Sequence, residues 1–124
     1  MTKTSRLWIV LAGLMGAEAV IAGALSAHAG LSEQAVLWVD KAVTYEFWHA
    51  LALLAVALLS LRENSRLLTL SGVLFTAGVA LFCGTLYMKG FWEITPFPMS
   101  APLGGFCLIG GWCVLAFYGF KAKN

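Results

Sequence analysis

Of the 124 residues, 60% are hydrophobic and only 11% charged, and the formal net charge is +2. A water-soluble domain of this length could not bury so much apolar surface, so the chain reads as a single integral membrane domain. The weak charge and the lack of a basic tract leave no footing for nucleic acid, and three cysteines set in apolar runs match neither a disulfide framework nor a zinc site.

Leu7 to Ala27 is the first apolar run. Lys3 and Arg6 precede it and Ala27-His28-Ala29 closes it, an outline shared with secretory signal peptides. The apolar stretch reaches Leu25, longer than the usual core of roughly 7–15 residues, and it carries Glu18; it is therefore read as a permanent span. Ala12, Gly16, Gly23 and Ala27 approximate one small-residue face. Leu31 to Thr44 follows as an outer loop with its own pattern. Ser32 can cap a helix with Glu33 in its first turn, and Ala35, Trp38, Val39 and Ala42 share one face. This predicts a short amphipathic helix lying at the outer interface, anchored by Trp38. Val43 to Leu61 is the second span, with Glu46 near its start, and Leu67 to Met88 the third. The stretch "KGFWEITPFPMSAP" is broken by Pro96, Pro98 and Pro102 and cannot be regular helix throughout. Ala101 to Phe120 is the fourth span, marked by Gly104, Gly105, Gly110 and Gly111. Each run is near the ~20 residues that carry a helix across ~30 Å of hydrocarbon, and helices are preferred because a span must satisfy its own backbone. The fold class is an all-α four-transmembrane-helix bundle.

Lys3, Arg6, Arg62, Arg66, Lys121 and Lys123 share one side of a four-span, up-down topology, leaving only Lys41 and Lys89 on the other. The positive-inside rule then places both termini in the cytoplasm of a multi-pass protein of the bacterial inner membrane.

Three stretches taken together carry a family likeness: "GALSAHAG" (23–30), "YEFWHALALL" (45–54), and "LFCGTLY" (81–87) followed by "APLGGFCLIGGW" (101–112). In their order and spacing the chain resembles the domain of unknown function 423 family of small four-span membrane proteins, which includes transmembrane protein 256. The likeness extends from about Gly16 to Trp112. It implies a four-span bundle, an uncut first span with His28 inside a family motif, and a packing motif of Pro102, Gly104, Gly105, Gly111 and Trp112. It implies no activity. Glu18 and Ser26 depart from the family pattern, and Glu46 is outside it.

His28, Tyr45, His49 and Tyr87 are placed by this topology at the outer ends of their spans, where they are expected to form one polar cluster. Such a cluster either locks the bundle's outer end or holds a small molecule, lipid or proton. Glu46 and His49 make a Glu-x-x-His pair on one helix face, but di-iron bundles need two such pairs and two further glutamates, so neither a metal nor a haem is expected. Glu18, near the middle of span one, is expensive there by ~3 kcal/mol or more. It is expected to point into the bundle and hydrogen-bond a neighbour, with Thr76 and Trp112 at similar depth. Cys83 and Cys107 have comparable heights and are read as free thiols in a packed bundle, a disulfide remaining open. No nucleophile triad or phosphate loop is present, and no cofactor is implied. The expected role is a structural or accessory partner in a membrane complex, in contact with the lipid bilayer. The rivals are a self-associating transporter or channel for a small solute, lipid or proton, and a histidine-based cofactor or metal protein.

Overall fold

The computed structural model describes residues 1–122; Lys123, counted above among the cytoplasmic cations, lies outside them. It is four α-helices: α1 Lys3–His28, α2 Glu33–Arg62, α3 Arg66–Trp92 and α4 Ser100–Lys121. All four are long and apolar enough to span a bilayer, so the chain is an all-α, four-span membrane protein.

Local chemistry sets the ends. Thr2, Ser32 and Ser65 accept from the backbone N–H groups of Ser5, Ala35 and Leu67, capping α1, α2 and α3. Gly30 takes φ +66° between α1 and α2, a conformation costly for any residue with a Cβ. Pro102 sits in the first turn of α4, where its missing N–H has no helical partner to lose.

The segment expected as a separate interfacial helix is instead the beginning of α2. The reason is an unbroken stripe: Ala35, Val39, Ala42, Glu46, His49, Leu53 and Val56 alternate spacings of four and three, and all are buried. That seven-residue repeat keeps one seam facing the neighbours across the whole helix. At 30 residues α2 is about 45 Å long, so its first turns project beyond the hydrocarbon. The same repeat runs along α1 through Ser5, Trp8, Ala12, Met15, Ala19, Ala22 and Ser26. This replaces the small-residue face read from Ala12, Gly16, Gly23 and Ala27: only Ala12 of those four is buried, and Gly16 meets nothing within 4 Å.

Each helix packs on the next in sequence, α1 on α2, α2 on α3 and α3 on α4, while α1 and α4 do not touch among the described residues. The α3–α4 seam is the tightest. Gly104 lies against the Phe82 backbone, Gly78 under Leu108 and Gly111 under the Phe75 ring, so that a Cβ on Gly78 would meet Leu108 Cδ2 at 2.5 Å. In lipid such approaches supply the van der Waals contact that holds helices together. Of the family-motif glycines, Gly105 and Gly110 stand off at ordinary contact distance. Two interhelical hydrogen bonds cross the same seam: Ser71 Oγ donates to the Gly111 carbonyl at 2.9 Å, and Thr85 Oγ1 to Ser100 Oγ at 2.8 Å. By contrast α1 barely meets α3. The Trp8 indole lies on Gly72, where a Cβ would sit 2.6 Å from the ring. Beyond that contact the space between α1 and α3 is open.

Candidate functional site

Because α2 begins at Glu33, Glu46 and His49 straddle its midpoint instead of marking an outer end. His28, the last residue of α1, is exposed beside the start of α2. Sixteen residues of helix, about 24 Å, separate that start from His49. The expected cluster of His28 with Tyr45, His49 and Tyr87 is therefore not formed. The other three divide between two sites on either side of the α2–α3 seam.

His49 belongs to the first. Its Nδ1 lies 2.6 Å from the Tyr45 carbonyl oxygen, and Trp112 Nε1 lies 3.0 Å from its Nε2. An indole N–H can only donate, so Nε2 accepts and Nδ1 carries the proton toward Tyr45. The imidazole is thus neutral, with both nitrogens engaged and neither free for a metal. Aromatic rings surround it: Phe75 is 5.6 Å from His49 and 5.0 Å from Trp112, and Tyr45 is 4.9 Å from Phe82. This site ties α2, α3 and α4 together at mid-depth. Trp112, expected at the depth of Glu18 and within the packing motif, donates to His49 and not to Glu18. Thr76 likewise bonds the Gly72 carbonyl of its own helix, at 2.8 Å.

The second site faces the other way, into the gap between α1 and α3. Tyr87, buried on α3, donates its hydroxyl to Glu46 Oε1 at 2.7 Å. Glu46 is only 2% exposed. Glu18 lies within one turn of the midpoint of α1, one residue before the buried Ala19 of the heptad stripe. That offset turns it to the edge of the seam, so it is exposed in the gap and makes no hydrogen bond among the described residues. The expectation that Glu18 would be bonded inside the bundle is corrected accordingly: the heptad stripe runs through Ala19 and Ala22 and leaves Glu18 off the packed seam. The gap holds two adjoining cavities of about 310 and 510 Å³ that share Glu18, Gly84 and Tyr87. Glu46 and Cys83 line the deeper one, and Phe91 and Trp92 the outer one. Cys83, Cys107 and Cys113 are all free thiols.

The pairing of Glu46 with Tyr87 was not anticipated from sequence. The signal lay in continuing the Ala35–Val39–Ala42 stripe by alternating threes and fours, which reaches Glu46 and His49 and places them in the helix interior.

The family model described as "Protein of unknown function (DUF423)" matches residues 22–105. A UPF0382 membrane protein of Haemophilus influenzae is 36% identical over 121 residues, covering 94% of this chain and 96% of the relative. One from Staphylococcus aureus is 34% identical, covering 94% and 97%. The UPF0382 inner membrane protein YgdD of Escherichia coli K12 is 27% identical, covering 98% and 95%. No solved structure matches. With most of its length matched by the family model and by relatives above 30% identity, the chain belongs to the DUF423 family of membrane proteins.

Proposed function

We propose that this protein is a small bacterial inner-membrane binding protein whose ligand enters the α1–α3 groove sideways from the lipid phase. The inner-membrane assignment draws on the printed name of the E. coli relative and on the four apolar helices. The observation that supports the binding role is the groove itself. Its two cavities, about 310 and 510 Å³, fall in the size range of small-molecule sites, and exposed Ile21, Leu25 and Trp92 line its open side. A Cβ on Gly84 would meet nothing within 4 Å, so the groove is open down to the α3 backbone at that point. An accessory role in a larger complex remains the rival reading, with a partner's membrane helix as the occupant.

Full-length protein in nanodiscs carrying a photoreactive phospholipid tests this. Crosslinks should concentrate on Ile21, Leu25 and Met88 and fall several-fold in Gly84→Leu, whose side chain enters the groove from a Cβ that meets nothing within 4 Å. Labelling spread evenly around the four helices would refute the proposal. So would a co-purifying membrane protein that crosslinks to those residues in place of lipid.

A further inference from the structure

We infer that the groove's ligand is a lipophilic primary amine, its ammonium held between Glu18 and Glu46. This rests on the binding role proposed above and adds the chemical class. The observation that carries it is the state of Glu46. The residue is 2% exposed and lines the deeper cavity, yet its only hydrogen bond is the one that Tyr87 gives to Oε1. The second oxygen, Oε2, has no hydrogen-bond partner among the described residues. Nor is it sealed in protein, since the one buried side-chain polar atom without a partner among the described residues is Trp8 Nε1. Oε2 is therefore accessible on the side of Glu46 that lines the deeper cavity, and Glu18 lines both cavities.

Two acidic side chains thus line one cavity at mid-depth, and no basic residue among those described lines either cavity. Glu46 has a single donor, Tyr87, for its two oxygens, and two acidic groups on one cavity disfavour each other's charged forms. A ligand that brings positive charge and N–H donors relieves both. The remaining chemistry selects among cations. A hard metal ion needs six or more oxygens, and the groove offers two carboxyls and a phenol already donating to one of them. An ammonium needs only acceptors for its three N–H groups. The walls decide the rest of the molecule: Leu11, Met15, Ile21 and Leu25 along α1 are apolar, suiting an alkyl chain, and Phe91 and Trp92 line the outer end.

The test is competition against a photoreactive long-chain alkylamine, with the full-length protein in phosphatidylcholine nanodiscs. Dodecylamine should displace the probe at a tenfold or more lower bilayer concentration than dodecanol or dodecanoic acid. Glu46→Gln, whose amide oxygen can still accept from Tyr87, and Glu18→Gln, at an exposed position, should each weaken dodecylamine at least tenfold and leave dodecanol unchanged. Equal competition by amine and alcohol would overturn the amine assignment while leaving the groove reading intact. A probe that shows no saturable labelling, or labels Gly84→Leu as well as wild type, would overturn both.

Discussion

Replacing Gly104 by alanine should open the α3–α4 seam. The added methyl would lie 2.8 Å from Phe82 Cα and closer still to the Phe82 nitrogen. Carbon atoms in contact sit about 3.5–4.0 Å apart, so α4 must withdraw by roughly 0.7–1 Å. A rotamer change cannot relieve the clash, because the atoms met are backbone. A gap of that size forfeits about a quarter to a half of each neighbouring contact. The contacts at stake are Gly78 with Leu108 and Gly111 with Phe75. The Ser71 bond to Gly111 and the Thr85 bond to Ser100 also lengthen as α4 retreats. Overpacking of this kind costs about 1–3 kcal/mol, and weakening one interhelical bond adds about 0.6–1 kcal/mol. The expected loss is therefore about 2–4 kcal/mol. Reversible unfolding in mixed detergent micelles, followed by helical circular dichroism, measures it. Gly105→Ala is the control: its methyl comes no nearer than 4.0 Å to Phe82 Cδ2, and its stability should stay within about 0.5 kcal/mol of wild type. If Gly104→Ala proves as stable as Gly105→Ala, the reasoning from close backbone approach is wrong.

Tyr87→Phe removes the donor to Glu46 and should destabilise the protein by about 0.6–2 kcal/mol in the same assay, with Glu46→Gln milder because its amide still accepts from Tyr87. Trp112→Phe should leave His49 Nε2 without a donor; nitrogen NMR of labelled histidine should show the Nδ1–H tautomer in wild type and a disturbed signal in the variant. Glu18→Gln, at an exposed position with no hydrogen bond among the described residues, should change unfolding stability by less than about 0.5 kcal/mol, and a loss above about 1 kcal/mol would place Glu18 in a bond the fold does not show. Reporter fusions at the C-terminus and within residues 30–40 should put the former in the cytoplasm and the latter outside, and a periplasm-only reporter active at the C-terminus would overturn the orientation drawn from Lys and Arg.

Composition and the length of the apolar runs were enough to determine four spans, because the bilayer imposes one requirement on every crossing segment and hydropathy reports it directly. The Ser32 cap and the Pro102 helix start were also legible, since both depend on local backbone chemistry. Which face of the first span meets a neighbour was not legible from its small residues. In lipid the outward face is as apolar as the inward one, so hydrophobic contrast does not mark the seam; the heptad spacing of Ser5 to Ser26 and Ala35 to Val56 marks it instead. Depth failed with it. Starting the second span at Val43 set Glu46 and His49 near the outer surface, whereas α2 begins ten residues earlier, at Glu33. Only the tertiary structure decided that His49 pairs with Trp112 and Glu46 with Tyr87, across sequence separations of 63 and 41 residues. Those partners depend on the register and rotation of neighbouring helices, which packing sets. For the same reason the groove that leaves Glu18 open belongs to no single segment: it exists because Trp8 on Gly72 joins α1 to α3 at one end and nothing comparable joins them above it.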